Sequence, residues 1–271
     1  MWQSQDRNMN MCLKFWNSYY NYPELFNPWS STMRMKINII LMILLLTILI
    51  IPVSAKVITT GFKNADYTSI QEAVDNANDT DIIIVHSGIY SENILINKPL
   101  TLKPADNDSN VIIKGTNSSN YIFHIKASNT SITGFNLKGE TGSKLSSGMY
   151  LDNVKHCQIS GNSISNVKDG ILLSSSQENN IEDNYLFSNY LHGINISGSD
   201  NNSISKNRVF SNLYGIIVES SNSNIIVRNN ASLNESYGIA LFKTNKSIVN
   251  DSIVTGNKHG ICLTSSFNNK I

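Results

Sequence analysis

Charge is what this sequence has least of. Asp, Glu, Lys and Arg are 15% of its 271 residues and nearly cancel, leaving a formal net charge of +1. An ordinary soluble domain carries about a quarter charged residues. Without a basic or an acidic field, nucleic-acid binding and cation storage are set aside. Cysteine is also scarce, at three. Beyond Cys12, only Cys157 and Cys262 remain, too far apart in the repeat described below for a disulfide, so two free thiols are expected. Tryptophan is confined to Trp2, Trp16 and Trp29. No run reaches the roughly 20 apolar residues of a membrane span. The longest, Ile37–Ile51, follows Arg34 and Lys36 and precedes Val53-Ser54-Ala55. That order reads as a signal peptide over 33–55, cleaved after Ala55. Residues 1–32 are then a non-native or disordered extension ahead of the true start. The alternative keeps Met1 and makes Ile37–Ile51 an uncleaved anchor. Either reading places residues 56–271 outside the cytoplasm: secreted, periplasmic or at the cell surface.

What the chain has is a repeat. "GMYL", "GILL", "GINI", "GIIV", "GIAL" and "GICL" begin at 148, 170, 193, 215, 238 and 260, a period of about 22 residues. An asparagine precedes each of the last five glycines: Asn166, Asn189, Asn212, Asn234 and Asn257. A second apolar patch lies between glycines. A short repeat without helical periodicity is one coil of a parallel β-helix. Alternation turns the residues one and three after each glycine inward, such as Ile171 and Leu173, and the glycine itself outward. The asparagines are expected to form an amide ladder along the axis. Before the regular coils, "TSIQEAVDNAN" is the one good helix candidate. Ser69 and Glu72 fit a capping box, and Ile70, Ala73, Val74 and Ala77 share a face. Such a helix would cover the N-terminal end of the stack.

The stretch "DYTSIQEAVDNANDTDIIIVHSGIYSENILINKPLTLK" resembles the opening of pectin-lyase-like right-handed β-helix proteins, and the "N…YGI" coils resemble NosD-type repeats. The resemblance covers about residues 57–271. It implies an all-β fold: a right-handed, single-stranded parallel β-helix with a short N-terminal capping helix. The NosD name implies periplasmic copper handling, and the enzymes of the fold imply a polysaccharide lyase or glycoside hydrolase. The residues favour neither. Copper prefers His, Cys and Met, yet Met149 is the one methionine past the signal. His86, His124, His156, His192 and His259 show no paired spacing, so no metal site and no cofactor are expected. Glycoside hydrolysis needs paired carboxylates, whereas Asp152, Asp169, Asp183, Asp200, Glu219 and Asp251 fall at different places in their coils. Enzymatic activity stays open, with the balance toward binding.

One row stands out. The residue before each repeat glycine is Ser147, Asp169, His192, Tyr214, Tyr237 and His259. Stacked in register, Asp169, His192, Tyr214, Tyr237 and His259 make a stripe. It is read as a turn position tolerant of bulky polar groups, as a glycan-binding stripe, or, at Asp169 and His192, as an acid–base pair. Ten Asn-X-Ser/Thr triplets add weak support for a glycosylated envelope protein. The ending "SSFNNKI" matches "SSNSNII", which leads into a further strand. The expectation is therefore a β-helix truncated at its C-terminal end, or one whose open end a partner covers. The reading overall is an exported binding or structural module for polysaccharide or envelope glycan. Its contact with membrane is limited to the signal or anchor. The alternatives are a carbohydrate-active enzyme and a copper-handling periplasmic protein.

Overall fold

The structure is a computed structural model that describes residues 36, 38–40, 54–105, 110–116, 121–139 and 146–271. The chain divides into two units, 1–54 and 55–271. In the first, residues 36 and 38–40 are helical. Apart from these four and residues 54 and 55, the expected extension and signal segment lie outside the described residues.

The second unit is a right-handed parallel β-helix. It opens with β1 (Val57–Thr60) and a helix, α1 (Ile70–Asn76). The next coils are β2 (Ile82–Val85), β3 (Gly88–Ser91), β4 (Ile94–Ile96), then β5 (Thr101–Pro104), β6 (Val111–Lys114), β7 (Tyr121–Ile125). A third coil holds β8 (Ser131–Thr133), β9 (Asn136–Lys138) and β10 (Ser147–Asp152). The regular coils follow with β11 (Gln158–Ser160), β12 (Ser163–Ser165), β13 (Asp169–Ser174), β14 (Asn180–Glu182), β15 (Tyr185–Phe187) and β16 (His192–Ser197). After them come β17 (Ser203–Ser205), β18 (Arg208–Phe210), β19 (Tyr214–Glu219), β20 (Ile225–Val227), β21 (Asn230–Ser232) and β22 (Tyr237–Phe242). The last are β23 (Ile248–Asn250) and β24 (His259–Thr264).

Among the described residues these strands form three parallel sheets. Sheet I runs from β1 to β23 with nine strands, sheet II from β3 to β21 with seven, and sheet III from β4 to β24 with eight. Inward residues stack on their equivalents one coil away. In sheet III, Ile171 pairs with Ile194 and Leu173 with Ile196, and all four are fully buried. Ile181 and Ile204 do the same in sheet I, Leu186 and Val209 in sheet II. Each such side chain contributes about 1.5–3 kcal/mol of burial. In β24 the equivalents Ile261 and Leu263 are 39% and 42% exposed.

The glycines face the other way from the expectation. A Cβ on Gly170 would lie 2.6 Å from Leu186 Cδ2 and 2.6 Å from the Gly193 carbonyl oxygen. Gly193, Gly215 and Gly238 show the same approach to the next coil or to a core side chain. The glycine therefore sits inside a tight corner, and what excludes a side chain is space.

The amide ladder is real but its frame is shifted by one at the first coil. Asn189 N–H donates to Asn212 Oδ1 at 3.0 Å, Asn212 to Asn234 at 3.2 Å and Asn234 to Asn257 at 2.8 Å. The slot before Asn189 belongs to Val167, whose N–H donates to Asn189 Oδ1. Asn166 instead occupies the preceding left-handed position, φ 59°, equivalent to Ser188 and Ser211. Three more ladders escape the sequence reading. They run through Cys157, Asn179, Asn202 and Asn224, through Asn162, Asn184, Asn207 and Asn229, and through Val154, Ser176, Ser199 and Ser221. Each ladder residue follows a corner residue at positive φ, as Lys206 (55°) precedes Asn207 and Glu178 (56°) precedes Asn179. The left-handed corner turns the next side chain inward, and the ladder satisfies the backbone that the corner exposes.

Helix α1 forms as expected, with Ser69 Oγ accepting from Glu72 N–H and Ile70, Ala73 and Val74 buried. Two charged side chains from the coils fix its ends. Glu92 accepts from the Ile70 and Gln71 N–H groups at 3.1 and 2.9 Å. Lys98 Nζ donates to the carbonyls of Val74, Asp75 and Ala77. A carboxylate at the N-terminus and an ammonium at the C-terminus both match the helix dipole.

Candidate functional site

The outer face of sheet III carries three rows, one residue per coil. Residues preceding the glycines form the first, and strand pairing aligns Ser147 with Asp169, Asp169 with His192, His192 with Tyr214, and Tyr237 with His259. The middle row is Tyr150, Leu172, Asn195, Ile217, Ala240 and Cys262, and the far row Asp152, Ser174, Ser197, Glu219, Phe242 and Thr264. All five stripe residues read from the sequence thus lie side by side.

The rings stack on one another. Centroids are 5.4 Å apart for His192–Tyr214, 5.7 Å for Tyr214–Tyr237 and 5.1 Å for Tyr237–His259, with planes within 29°. Because each face meets the next ring, the row offers solvent mainly its edges and polar tips. At its start Asp169, 3% exposed, holds His192 Nδ1 at 2.7 Å. Beside the row lies a groove of about 350 Å³ lined by His192, Tyr214, Ile217, Glu219, Tyr237 and Phe242. Its floor is the apolar side chain of Ile217, 5% exposed. Phe242 closes it at 77° to Tyr237.

A second cluster on the same face was not visible in the sequence reading. Tyr121 and His124 of β7 meet Tyr150 of β10 at centroid distances of 4.4 and 4.9 Å. His124 Nε2 lies 3.0 Å from Asp152 Oδ2, and Lys126 Nζ 3.8 Å from the same oxygen. Burial, reinforced by the Asp152 charge, pushes the Tyr121 and Tyr150 hydroxyls above their ordinary value. Alternation along "YIFHI" and the outward place of Tyr150 were the available signals. Sheet II carries a different patch, where Phe187 and Phe210 stack at 5.6 Å beside Tyr185.

The described residues do not fit copper. Among the described residues no three His, Cys, Asp or Glu side chains converge. His156 pairs with Glu178 at 3.2 Å, while the adjacent Cys157 points into the core. Burial raises the Cys157 thiol, which keeps it protonated and a poor ligand. Cys157 and Cys262 are both free. The acids of sheet III also lie apart in register: Asp152 pairs with Ser174, and Asp169 with Ser147 and His192.

Fold and site together define a right-handed parallel β-helix with an aromatic, hydrogen-bonding face. A family model described as "Periplasmic copper-binding protein (NosD)" matches residues 72–271, and the chain belongs to that family. A cell surface glycoprotein of Methanothermus fervidus is 38% identical over 130 residues, which are 46% of this chain and 21% of that protein. The chain thus spans about a fifth of that relative's length. Pectate lyase Pel9A superposes with a TM-score of 0.54 at 14% identity, over 81% of this chain and 80% of its own. The A-module of the Azotobacter vinelandii mannuronan C-5 epimerase AlgE4 gives 0.53 at 12%, over 74% and 72%. These two likenesses are of fold.

Proposed function

We propose that this is an exported β-helix protein whose sheet III face binds a polysaccharide or envelope glycan. The observation that carries the reading is the stacked row His192–Tyr214–Tyr237–His259 beside an apolar-floored groove. The row repeats a hydroxyl or imidazole once per coil, about 4.8 Å apart. A sugar chain lying along the axis meets the same pattern unit after unit: ring carbons on the floor, hydroxyls on the wall. Export is supported by the family's periplasmic description and by the surface location named for the Methanothermus relative. A glycan array with the full chain tests this. Wild type is expected to retain a glycan class that the Tyr214→Ala variant loses at unchanged melting temperature. Absence of any bound glycan overturns the reading.

One observation favours a second reading, a carbohydrate-active enzyme. Asp169 fixes Nδ1 of His192 at 2.7 Å, which orients the ring as a proton acceptor. If that reading holds, an unsaturated or reducing product appears with wild type and disappears with Asp169→Asn. Binding without product leaves the first reading standing.

A further inference from the structure

We propose that the groove over Ile217 selects a glycan bearing protonated amines, a glucosamine-type chain, and discriminates against polyuronates. This deepens the glycan reading above and rests on it. The groove's six lining residues carry one formal charge, the exposed carboxylate of Glu219, and no lysine or arginine. Asp169, at the head of the row, is engaged by His192. Asp152, further along the same face, is engaged by His124 and Lys126. Among the described residues Glu219 makes no salt bridge, and it lies in register with Ser197 and Phe242. Lys243 follows Phe242 in a left-handed corner at φ 52° and is not among the lining residues.

The consequences are directional. A uronate bound over Ile217 would bring its carboxylate beside Glu219, with no lysine or arginine in the lining to neutralise either group; like charges in a partly desolvated groove repel. An ammonium in the same place forms a charge-assisted hydrogen bond with Glu219. The Tyr214 and Tyr237 hydroxyls add acceptors. Phe242 stands at 77° to Tyr237, an edge-to-face pair that walls this corner of the groove. The apolar floor holds the carbon face of the sugar, so amine charge alone is not what the groove reads.

Isothermal titration of the full chain tests the proposal with four probes. These are a β-linked glucosamine oligomer, its fully N-acetylated counterpart, an oligogalacturonate, and polylysine as a charge without sugar. The glucosamine oligomer is expected to bind tightest and to weaken roughly tenfold in Glu219→Gln, the scale of one hydrogen bond to a charged group. The N-acetylated oligomer is expected to be indifferent to that substitution. Equal affinity for both oligomers, no response to Glu219→Gln, tighter binding of oligogalacturonate, or polylysine binding as well as the sugar each overturns this inference. Failure of all three saccharides also overturns this inference, whereas the glycan reading itself falls only if the glycan array shows no ligand, so the two failures are distinguishable.

Discussion

One corner of the coil can be followed from end to end. In the third coil it holds Phe135, packed against Phe123 at 5.7 Å; in later coils the same place holds Asn162, Asn184, Asn207 and Asn229. The neighbouring corners change in the same way, from Val154 to Ser176 and from Val167 to Asn189. The spacing does not follow the corner's polarity alone: Phe135 to Asn162 is 27 residues, whereas Val154 to Ser176 and Val167 to Asn189 are 22 each. Where the corner is polar the spacing is 22 or 23, as from Asn162 to Asn184 and on to Asn207. Dispersion and burial are non-directional and tolerate uneven coils. A hydrogen-bonded ladder requires each amide to meet the next, which pins the corners to one another at every step, the 27-residue step from Phe135 to Asn162 included. The laddered half is therefore the part that can hold a row of rings in constant register, and the stripe lies there.

The largest effect is expected at the apolar end. Phe135→Ala removes a ring that is 1% exposed and should cost about 4 kcal/mol, read as a lowered denaturant midpoint. Asn207→Ala, in the same corner among the ladders, deletes bonds to Asn184 N, Asn184 Nδ2, the Ile181 carbonyl and Asn229 Oδ1. It should cost about 3 kcal/mol, because buried polar groups are left unpaired. Asn207→Ser should recover part of this, since Ser247 and Ser252 already accept from Asn224 and Asn229 in such slots. If Phe135→Ala is mild and Asn207→Ala neutral, the contrast between the two halves fails.

Smaller changes sharpen it. Leu233 occupies a left-handed corner, φ 58°, and is 64% exposed. Leu233→Gly relieves that conformation and should raise stability by up to about 1 kcal/mol in thermal unfolding. The smallest effect concerns alkaline pH. Tyr121 and Tyr150 have folded pKa values above the ordinary one near 10. Their contribution is thus present below pH 10 and lost as pH rises through the folded values. Tyr150→Phe should flatten that loss by a few tenths of a kcal/mol, about the scale left after screening of half-exposed groups.

Much of this was legible because the repeat is regular. The aliphatic stacks around Ile171 and Leu173, the capped helix and the stripe from Asp169 to His259 follow from period and alternation. The glycine orientation did not, because strict alternation breaks at the corner where Asp169, Gly170 and Ile171 turn. Three ladders stayed hidden among many Asn and Ser residues, and Val167 stands in a slot where an asparagine was sought. The Tyr121–His124–Tyr150–Asp152 cluster was missed because it joins coils of unequal length, where Tyr121 and Ser147 pair across 26 residues. Glu219 also went unread as a groove residue. Its role depends on which side chains flank it across strands.

The most direct test of the account is a tyrosine-modification footprint of the full chain, with and without a saturating glycan identified on the array, read by mass spectrometry. Protection is predicted at Tyr214 and Tyr237 on sheet III, with Tyr185 on sheet II unchanged. Protection centred on Tyr185, or equal reactivity of all three in both states, would contradict it.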